Sequence, residues 1–259
     1  MPELPEVEHA VRRLRVALVG RRIVRARALH KAVRRTLTPA RLRALAGRTV
    51  REVSRRGKHQ LLHLDDGAML HVHFRMAGDW HAYAAEAPAP PHVRFAMELD
   101  DATVVALTDA RALGTVAFVR SAAELPDLGP EADDPGITPA ALRAVLSARR
   151  GAIKPVLLDQ RVLAGIGNIY ASESLWHAKV SPRAPALSLT LTRVARLLAG
   201  IRKALARGMA REGRYAEGES HEFLVYDREG EPCQRCGARI RRVVQGQRST
   251  YWCPRCQRR

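Results

Sequence analysis

The four cysteines of this 259-residue chain all lie in its last 27 residues, in the pattern Cys-x2-Cys-x16-Cys-x2-Cys. Two such pairs can place four thiolates tetrahedrally around one zinc ion. A segment of about thirty residues also needs a cross-link of this kind, because it cannot bury a core of its own. With Cys233, Cys236, Cys253 and Cys256 as ligands, no coordination position is left for water. The sequence therefore predicts one structural zinc.

The chain carries 44 Lys and Arg residues against 26 Asp and Glu, a formal net charge of +18. Of these cations 39 are Arg, and compositional bias explains Arg over Lys but not cations over anions. A charge of this size attracts polyanions. We therefore favour a nucleic-acid partner over a merely basic globular protein, and both over a protein that binds acidic membrane surfaces.

The amino-terminal sequence MPELPEVE is acidic and proline-rich, unlike a signal peptide. No run of about 18 uncharged apolar residues is present, so no membrane span is expected. We expect the protein to be intracellular.

The first half of the chain predicts one helix followed by strands. An apolar stripe at helical spacing is closed by Gly20 and consists of Val7, Val11, Leu14 and Leu18. Seven short alternating runs then predict a β-sandwich or barrel, with Ala84–Pro91 as a loop. The runs are Arg22–Ala28, Thr49–Ser54, Gln60–Leu64, Met69–Phe74, Val93–Leu99, Thr103–Thr108 and Thr115–Val119.

Beyond a linker at Pro126–Pro135 the period becomes helical. Thr138 is expected to cap a helix that runs through Ser147, and Ser188 or Thr190 to cap a longer helix over Val194–Met209.

Lys154–Val180 reads as helix interrupted by the glycine-containing turn Ala164–Asn168. Such a turn exposes backbone N–H groups at a helix start, an arrangement that binds phosphate, although a plain helix–turn–helix corner fits equally well. The nearby Lys154 favours the phosphate site.

The start Met-Pro-Glu carries potential chemistry. A Met before Pro is normally removed, which leaves Pro2 with a free secondary amine. An α-amino group titrates near pH 8 and is a better nucleophile at neutral pH than a lysine side chain. Glu3 could handle protons for it. Taken alone, this start has no catalytic meaning.

Six segments occur in an order that resembles the formamidopyrimidine-DNA glycosylase / endonuclease VIII family, essentially end to end. The opening is more similar to the formamidopyrimidine branch. The segments are MPELPEVE, RRGKH around Lys58, HFRMAG at 73–78, DARALG at 109–114, AGIGNIYASESL at 164–175 and GEPCQRCG…QRSTYWCPRCQ at the end.

The resemblance implies an α+β fold with two domains. The first is a β-sandwich flanked by helices, and the second is a helical helix–two-turn–helix domain with a four-cysteine zinc finger. In this chain we expect the catalytic β-sandwich at 1–125, the helical DNA-binding domain at 136–225 and the zinc finger at 226–259.

The resemblance also implies the site. Pro2 would attack C1′ of the damaged nucleotide, and Glu3 would act as acid and base. Glu6 would hold this arrangement, and Lys58 and Arg248 would contact phosphates near the extruded nucleotide. Further DNA contacts are expected from residues that bind phosphate or fill the gap left by the base. The phosphate-binding residues are His73, Lys154 and Asn168, and the gap-filling residues are Met76, Arg111 and Leu113.

The implied function is that of a bifunctional DNA glycosylase and abasic-site lyase of base-excision repair. It would remove formamidopyrimidines and 8-oxoguanine through a Schiff base on Pro2 and cleave the strand by β,δ-elimination. We expect a monomer in the bacterial cytoplasm, associated with the nucleoid when acting, with double-stranded DNA containing a damaged base or an abasic site as its partner.

Two alternatives within the fold are an endonuclease VIII-like preference for oxidised pyrimidines and a non-catalytic protein that binds damaged DNA. A small-molecule enzyme with an N-terminal proline is disfavoured, because it needs neither the zinc module nor the charge. A ribbon-type RNA-binding protein is disfavoured because nothing resembles an RNA-recognition motif.

The chain departs from the family pattern at three places. The segment 109–114 reads Asp-Ala-Arg-Ala-Leu-Gly instead of the usual Asp-Pro-Arg-Arg-Phe-Gly, and Arg75 replaces a usual Gly. The segment 207–222 is shorter than the loop that typically caps an oxidised purine. We therefore expect formamidopyrimidines and abasic sites to be processed well and 8-oxoguanine more slowly.

Overall fold

The computed structural model describes residues 2–211 and 223–258 and divides into two units, Met1–Pro126 and Asp127–Arg259. The division falls within the segment that the sequence predicts as a linker. The helical segment and the four-cysteine segment lie together in the second unit. A separate domain boundary near residue 226 stays a prediction.

Helix α1 (Leu4–Leu18) opens the first unit. Pro5 stands in its first turn, where the fixed φ of proline suits a helix and the missing N–H costs nothing. The four apolar residues of the predicted stripe are each no more than 2% exposed. The predicted helix and its buried face are confirmed.

Two antiparallel four-stranded sheets follow and share one apolar core with α1. The strands are β1 (Ile23–Ala28), β2 (Val50–Arg56), β3 (His59–Leu64), β4 (Met69–His73), β5 (Asp79–Ala84), β6 (Val93–Leu99), β7 (Thr103–Thr108) and β8 (Thr115–Val119). One sheet has the order β1-β6-β7-β5 and the other β2-β3-β4-β8. The short helices α2 (Lys31–Arg34) and α3 (Pro39–Leu45) connect β1 to β2. The architecture is a sandwich rather than a closed barrel.

The sequence analysis missed strand β5. It predicted seven strands, and the described part of the first unit has eight. β5 is the edge strand beside β7, and Trp80 is its only buried residue. The indole Nε1–H of Trp80 donates to Oε1 of Gln60 at 2.6 Å. An edge strand with one buried side chain has no alternating apolar pattern, so the sequence carried no signal for it.

The second unit begins with four helices. Their bounds are α4 (Pro139–Ser147), α5 (Ile153–Leu158), α6 (Asn168–Ala178) and α7 (Leu191–Met209). The side-chain oxygens of Thr138 and Thr190 accept backbone N–H groups at the starts of α4 and α7. Both threonine caps were predicted, and Ser188 lies instead in a short 3-10 turn.

A hairpin of β9 (Arg241–Gln245) and β10 (Arg248–Trp252) completes the second unit. Its two turn residues, Gly246 and Gln247, have φ of 54° and 60°. Positive φ at both central residues is the geometry of a type I′ turn, whose twist matches that of a two-stranded ribbon.

Among the described residues no helix is both long enough and apolar enough to cross a membrane.

Candidate functional site

The amino end of α1 holds Pro2 and Glu3 on buried backbone. Pro2 is buried, and Glu3 and Glu6 are 1% and 8% exposed. In a capping box the amide N–H of Glu3 donates to Oε2 of Glu6 at 2.8 Å, and the Glu3 carboxylate accepts the amide N–H of Glu6. These two hydrogen bonds fix the backbone at Glu3 and with it the direction of the preceding residue.

Lys58 stands in the two-residue turn between β2 and β3, and it is only 7% exposed. Gly57, the first turn residue, has φ of 57°, as a type II′ turn requires. The guanidinium of Arg55 donates to the carbonyl O of Gly57 at 3.0 Å and pairs with Glu8 of α1 at 3.0 Å. Arg55 therefore ties the turn that carries Lys58 to the amino-terminal half of α1.

Three histidines of β3 and β4 form a cluster next to this turn. Nδ1 of His59 and Nε2 of His71 are 2.7 Å apart, and the ring centres of His59 and His73 are 4.6 Å apart. Burial, followed by the neighbouring His71 and Arg75, lowers the pKa of His59 to about 4. Burial, followed by His59 and Arg75, lowers the pKa of His73 to about 3. The cluster is therefore neutral at pH 7.

The segment that carries Met76 connects β4 to β5. Nδ1 of His73 accepts the amide N–H of Arg75 at 2.9 Å. Arg75 has φ of 54°, a left-handed conformation that explains why the family usually has Gly at this position. Met76 is 38% exposed and so is not part of the protein core.

The segment that carries Arg111 and Leu113 is organised by one buried carboxylate. Asp109 is 1% exposed. Its Oδ1 accepts the amide N–H of Arg111 at 3.0 Å, and its Oδ2 accepts those of Leu113 at 2.7 Å and Gly114 at 2.6 Å. With three N–H groups turned inward to the carboxylate, Arg111 and Leu113 are both exposed, Leu113 by 46%.

The Met76 segment and the Asp109–Gly114 segment are neighbours. A Cβ at Gly114 would lie 3.2 Å from Oδ2 of Asp109 and 3.5 Å from the carbonyl O of His73. The structure thus brings together His73 and Asp109, which anchor the two segments that carry the predicted gap-filling residues.

In the second unit Gln160 shapes the glycine turn before α6. Its Nε2 donates to the carbonyl O of Leu158 at 3.0 Å and of Ile166 at 2.9 Å, and its Oε1 accepts the amide N–H of Gly165 at 3.0 Å. The turn ends at Asn168, the first residue of α6, which is half-buried. Gln160 therefore fixes the approach to the helix start.

Lys154 requires a correction, because its side chain is fully buried. Nζ donates to Oδ1 of Asn168 at 2.5 Å, to the carbonyl O of Ser249 at 3.0 Å and to Oγ1 of Thr250 at 2.8 Å. Three acceptors account for the three N–H bonds of an ammonium group. Lys154 is thus placed to hold Asn168 and the hairpin rather than to contact DNA itself.

Arg248 is exposed and begins β10 directly after the type I′ turn. Its neighbour Ser249 receives hydrogen bonds on its carbonyl O from Lys154 and from Nδ2 of Asn168, the latter at 3.0 Å. The start of α6 and the hairpin tip are therefore joined, and Asn168 and Arg248 have a fixed relation within this unit.

The four cysteine sulfurs all lie within 4.8 Å of one another. Four sulfurs bound about 2.3 Å from one ion in a tetrahedron are about 3.8 Å apart, so the spacing fits zinc. The four cysteines form a structural zinc site, as predicted. The zinc site lies at the base of the hairpin, and Arg248 lies at the opposite end, at the tip.

The zinc site is attached to α6 by Trp176 and Arg235. The indole Nε1–H of Trp176 donates to Sγ of Cys233 at 3.3 Å. The guanidinium carbon of Arg235 lies 3.7 Å from the ring centre of Trp176, and the same group donates to the Trp176 carbonyl O at 3.0 Å. Helix and zinc module are thus parts of one packed unit.

Glu173 is a further buried organiser that sequence reasoning missed. Its carboxylate accepts the amide N–H groups of Leu224, Val225 and Tyr226 at 2.9–3.0 Å. The residues just before them, 212–222, lie outside the described part, and so does most of the segment expected to be short.

Sequence reasoning also passed over Asp109, Arg55 and Gln160 as positioning residues. Asp109 had a local signal, since an Asp at the start of a segment between two strands often accepts nearby amide N–H groups. Arg55 and Gln160 had none, because both act through the backbone of residues whose position only the fold defines.

Comparison with known sequences gives three matches along the chain. A family model described as "Formamidopyrimidine-DNA glycosylase N-terminal domain" matches residues 1–116. One described as "Formamidopyrimidine-DNA glycosylase H2TH domain" matches residues 128–218, and "Zinc finger found in FPG and IleRS" matches residues 230–259.

Similar proteins agree over the whole length. A formamidopyrimidine-DNA glycosylase of Roseiflexus sp. is 41% identical with both chains covered completely, and one of Chloroflexus aggregans is 43% identical over 99% of this chain and 98% of its own. Among solved structures, MutM in complex with DNA containing carbocyclic 8-oxo-G has a TM-score of 0.92, with 31% identity and both chains covered completely. A complex of Lactococcus lactis Fpg with DNA containing an abasic site has a TM-score of 0.91, also at 31% identity and full coverage of both chains. With its fold and zinc module, this chain belongs to the formamidopyrimidine-DNA glycosylase family.

Proposed function

We propose that this protein is a DNA glycosylase and abasic-site lyase that uses Pro2 as a covalent nucleophile. The observation that carries the proposal is the capping box at the start of α1. It holds the Glu3 carboxylate, 1% exposed, on fixed backbone next to Pro2. Full-length similarity to proteins named formamidopyrimidine-DNA glycosylase supports the same conclusion.

The reaction follows from these groups. With Met1 removed, the neutral amine of Pro2 attacks C1′ of the damaged nucleotide, and the glycosidic bond breaks with its electron pair leaving on the base. The proton that the Pro2 nitrogen loses is transferred to the departing base. The bond from C1′ to the ring oxygen then opens, and Glu3 supplies a proton to that oxygen. The product is an iminium between Pro2 and C1′, with no metal or redox cofactor in the step.

Strand cleavage uses the same intermediate. The iminium acidifies the proton on C2′, and loss of this proton expels the 3′ phosphate by β-elimination. A second elimination expels the 5′ phosphate, and water then releases the sugar fragment from Pro2. Glu6 keeps the Glu3 backbone in place throughout, since its carboxylate holds the Glu3 amide.

DNA would be held by cationic and polar side chains of both units and by inserted side chains of the first unit. Lys58 and His73 of the first unit and Arg248 and Asn168 of the second would contact phosphates around the extruded nucleotide. Lys154 acts through Asn168 in this proposal. A base taken out of the stack costs a few kcal/mol, and exposed residues that occupy its place reduce that cost. Those residues are Met76, Arg111 and Leu113.

Borohydride trapping tests the nucleophile. Borohydride reduces an iminium, so it should cross-link the protein to DNA with an abasic site, with the adduct on the peptide that begins at Pro2. Pro2→Gly and chemical blocking of the amino terminus should each abolish the cross-link. A protein that binds without cutting would give no cross-link at all. If Lys58→Ala abolishes the cross-link while the protein with a blocked amino terminus still forms it, the nucleophile is a lysine. The proposal that Pro2 is the nucleophile would then be refuted.

We also propose a preference for formamidopyrimidines and abasic sites over 8-oxoguanine. Leu113 offers no aromatic ring for stacking, and base–aromatic stacking is worth about 1–3 kcal/mol in single-strand binding proteins. Ring-opened purines stack less well and need less help to leave the helix. Competition among duplexes with one lesion each measures the order. Faster removal of 8-oxoguanine, or of thymine glycol, would contradict the proposal.

A further inference from the structure

A groove in the second unit is lined by cations and lies away from the hairpin tip. Its volume is about 600 Å³, and two zinc ligands, Cys236 and Cys256, form part of its wall. We call it the basic groove. Its six cations are Lys179, Arg193, Arg196, Arg235, Arg255 and Arg258.

The positive charge of the basic groove is not neutralised by the protein. Among residues 2–211 and 223–258, no carboxylate lies within 4.0 Å of any of the six cations. The zinc tetrathiolate contributes a formal charge of −2, because four thiolates surround one divalent ion. Six cations thus leave a net charge of about +4 in one concave surface, which attracts polyanions.

Backbone carbonyls hold several of these guanidinium groups in place. Arg193 donates to the carbonyl O of Arg258 at 3.2 Å, and Arg258 donates to that of Arg255 at 3.3 Å. Arg255 donates to the carbonyl O of Cys236 at 3.4 Å. A carbonyl oxygen positions a guanidinium without cancelling its charge, so these groups remain available to an anion.

Helix α7 adds a second, independent sign. Arg193 and Arg196 lie in its first two turns, three residues apart and hence on one face. The first turn of α7 contains no acidic residue. The amino end of a helix carries a partial positive charge and disfavours cations. Arg193, in the first turn, therefore lowers helix stability unless an anion binds there, and Arg196 on the same face is placed to contact the same anion.

The groove is distant from the DNA-binding residues of the same unit. Asn168 stands at the amino end of α6, joined to the hairpin tip, and Lys179 caps its carboxyl end. Eleven helical residues span about 16 Å. A phosphate bound next to Asn168 therefore cannot also lie in the basic groove.

We propose that the basic groove is a second site for the phosphates of double-stranded DNA, separate from the site at the hairpin tip and independent of a lesion. Arginine suits phosphate because its planar group donates two parallel hydrogen bonds. The phosphates come either from a distant part of the duplex that holds the lesion or from a second duplex. In both cases the groove keeps the protein on undamaged DNA.

The test compares two double variants of the full-length, zinc-loaded protein. Arg193→Gln/Arg196→Gln removes two cations from the groove. Arg25→Gln/Arg27→Gln removes two exposed cations from β1 and serves as the control. Zinc content and thermal unfolding establish that each variant is folded. Lys179→Gln/Arg255→Gln replaces the groove variant if the first one misfolds.

Binding to an undamaged 40-base-pair duplex is measured as a function of salt. The groove variant should lose about two units of slope in log K against log salt and bind about tenfold more weakly at moderate salt, because two phosphate contacts are gone. Arg193→Lys/Arg196→Lys should keep most of the slope, since it keeps the charge. Equal slopes for the groove variant and the control would overturn the proposal.

Stoichiometry then separates the two sources of phosphate. Native mass spectrometry with excess 12-base-pair duplex should show two duplexes per wild-type protein and one per groove variant if a second duplex binds. One duplex in both, with the slope difference confined to the 40-base-pair duplex, assigns the groove to the same DNA molecule. If the salt slopes for DNA are unchanged but the groove variant no longer binds a labelled poly-glutamate peptide, the proposal is wrong and the ligand of the groove is an acidic protein.

Discussion

Two buried charges of opposite sign organise the two halves of the proposed DNA interface. In the first unit the Asp109 carboxylate accepts three backbone N–H groups and turns Arg111 and Leu113 outward. In the second the Lys154 ammonium donates to three oxygens and joins Asn168 to the hairpin. Each half thus uses a charge that is inaccessible to DNA to position side chains that are accessible. The difference is that the second half also depends on a metal.

Removal of zinc should have the largest effect and should affect only one side of this comparison. Structural zinc contributes on the order of 10–16 kcal/mol of binding free energy in zinc-finger peptides. A chelator, or Cys236→Ser, should abolish DNA binding and the hydrogen-exchange protection of 241–252. The strands of the sandwich should keep their protection. Restored binding after zinc is added back is the control, and full activity of the zinc-free protein would refute a structural role.

Loss of the buried ammonium should come next. Lys154→Met removes the donor of Oδ1 of Asn168 and Oγ1 of Thr250, while the carbonyl O of Ser249 keeps its hydrogen bond from Nδ2 of Asn168. The cost is about 1–3 kcal/mol for each unpaired oxygen that water cannot reach. We expect the free energy of unfolding to fall by about 3 kcal/mol and DNA affinity to fall more than in Arg248→Ala. Lys203→Met, on an exposed part of α7, is the matched control. If Lys154→Met is as stable as the control, the comparison with Asp109 fails.

Asp109→Asn should cost less, because one of its two acceptor oxygens remains. We expect a loss of about 2 kcal/mol in unfolding free energy, since an amide N–H then faces the donors of Leu113 and Gly114. Base removal from a duplex should fall more than cleavage at a preformed abasic site, because only the first needs the gap to be filled. Asp101→Asn, in an exposed turn, should change neither rate. Equal losses in both rates would show that Asp109 acts on folding alone.

The smallest effect concerns pH and the first unit alone. The folded-state pKa values of His59 and His73 lie near 4 and 3, below the ordinary 6.5. Between these values the unfolded chain binds protons that the folded chain does not. Stability should therefore be complete above pH 6.5 and fall as the pH drops through 6.5 towards 4. The shift in Tm between pH 7.5 and 5.5 should shrink in His59→Gln but not in His81→Gln, whose ring is exposed.

Much of this architecture was predictable because it depends on patterns of residues that are close in sequence. The apolar stripe of α1, the threonine caps and the spacing of the cysteines each depend on residues close in sequence, and the structure confirms them. The resemblance to a family extended these patterns to a fold, which the full-length similarity also confirms. The proposed roles of Pro2, Glu3 and Lys58 stay predictions.

What the sequence did not show depends on contacts between distant segments. Strand β5 has one buried residue, so its sequence lacks the alternation of a strand. Lys154 was expected to contact DNA because it lies near the glycine turn in the sequence, yet its ammonium group donates to Ser249 and Thr250, which are 95 and 96 residues away. No local pattern records whether such a partner exists.

The hydrogen bonds of Asp109 have a consequence for how this family can vary. The course of the 109–114 segment depends on backbone N–H groups, which every residue except proline provides, and on a single carboxylate. Side chains at positions 110–113 can therefore be exchanged with little change in the path of the chain, provided that 111 and 113 keep their N–H groups and that residue 112 tolerates the left-handed φ of 53° seen at Ala112. Ala-Arg-Ala-Leu in place of the usual Pro-Arg-Arg-Phe then changes the side chains that would face the DNA, while the backbone path of the segment stays the same. If this segment fills the gap left by the extruded base, as proposed above, lesion preference can change by substitutions on it without a new loop.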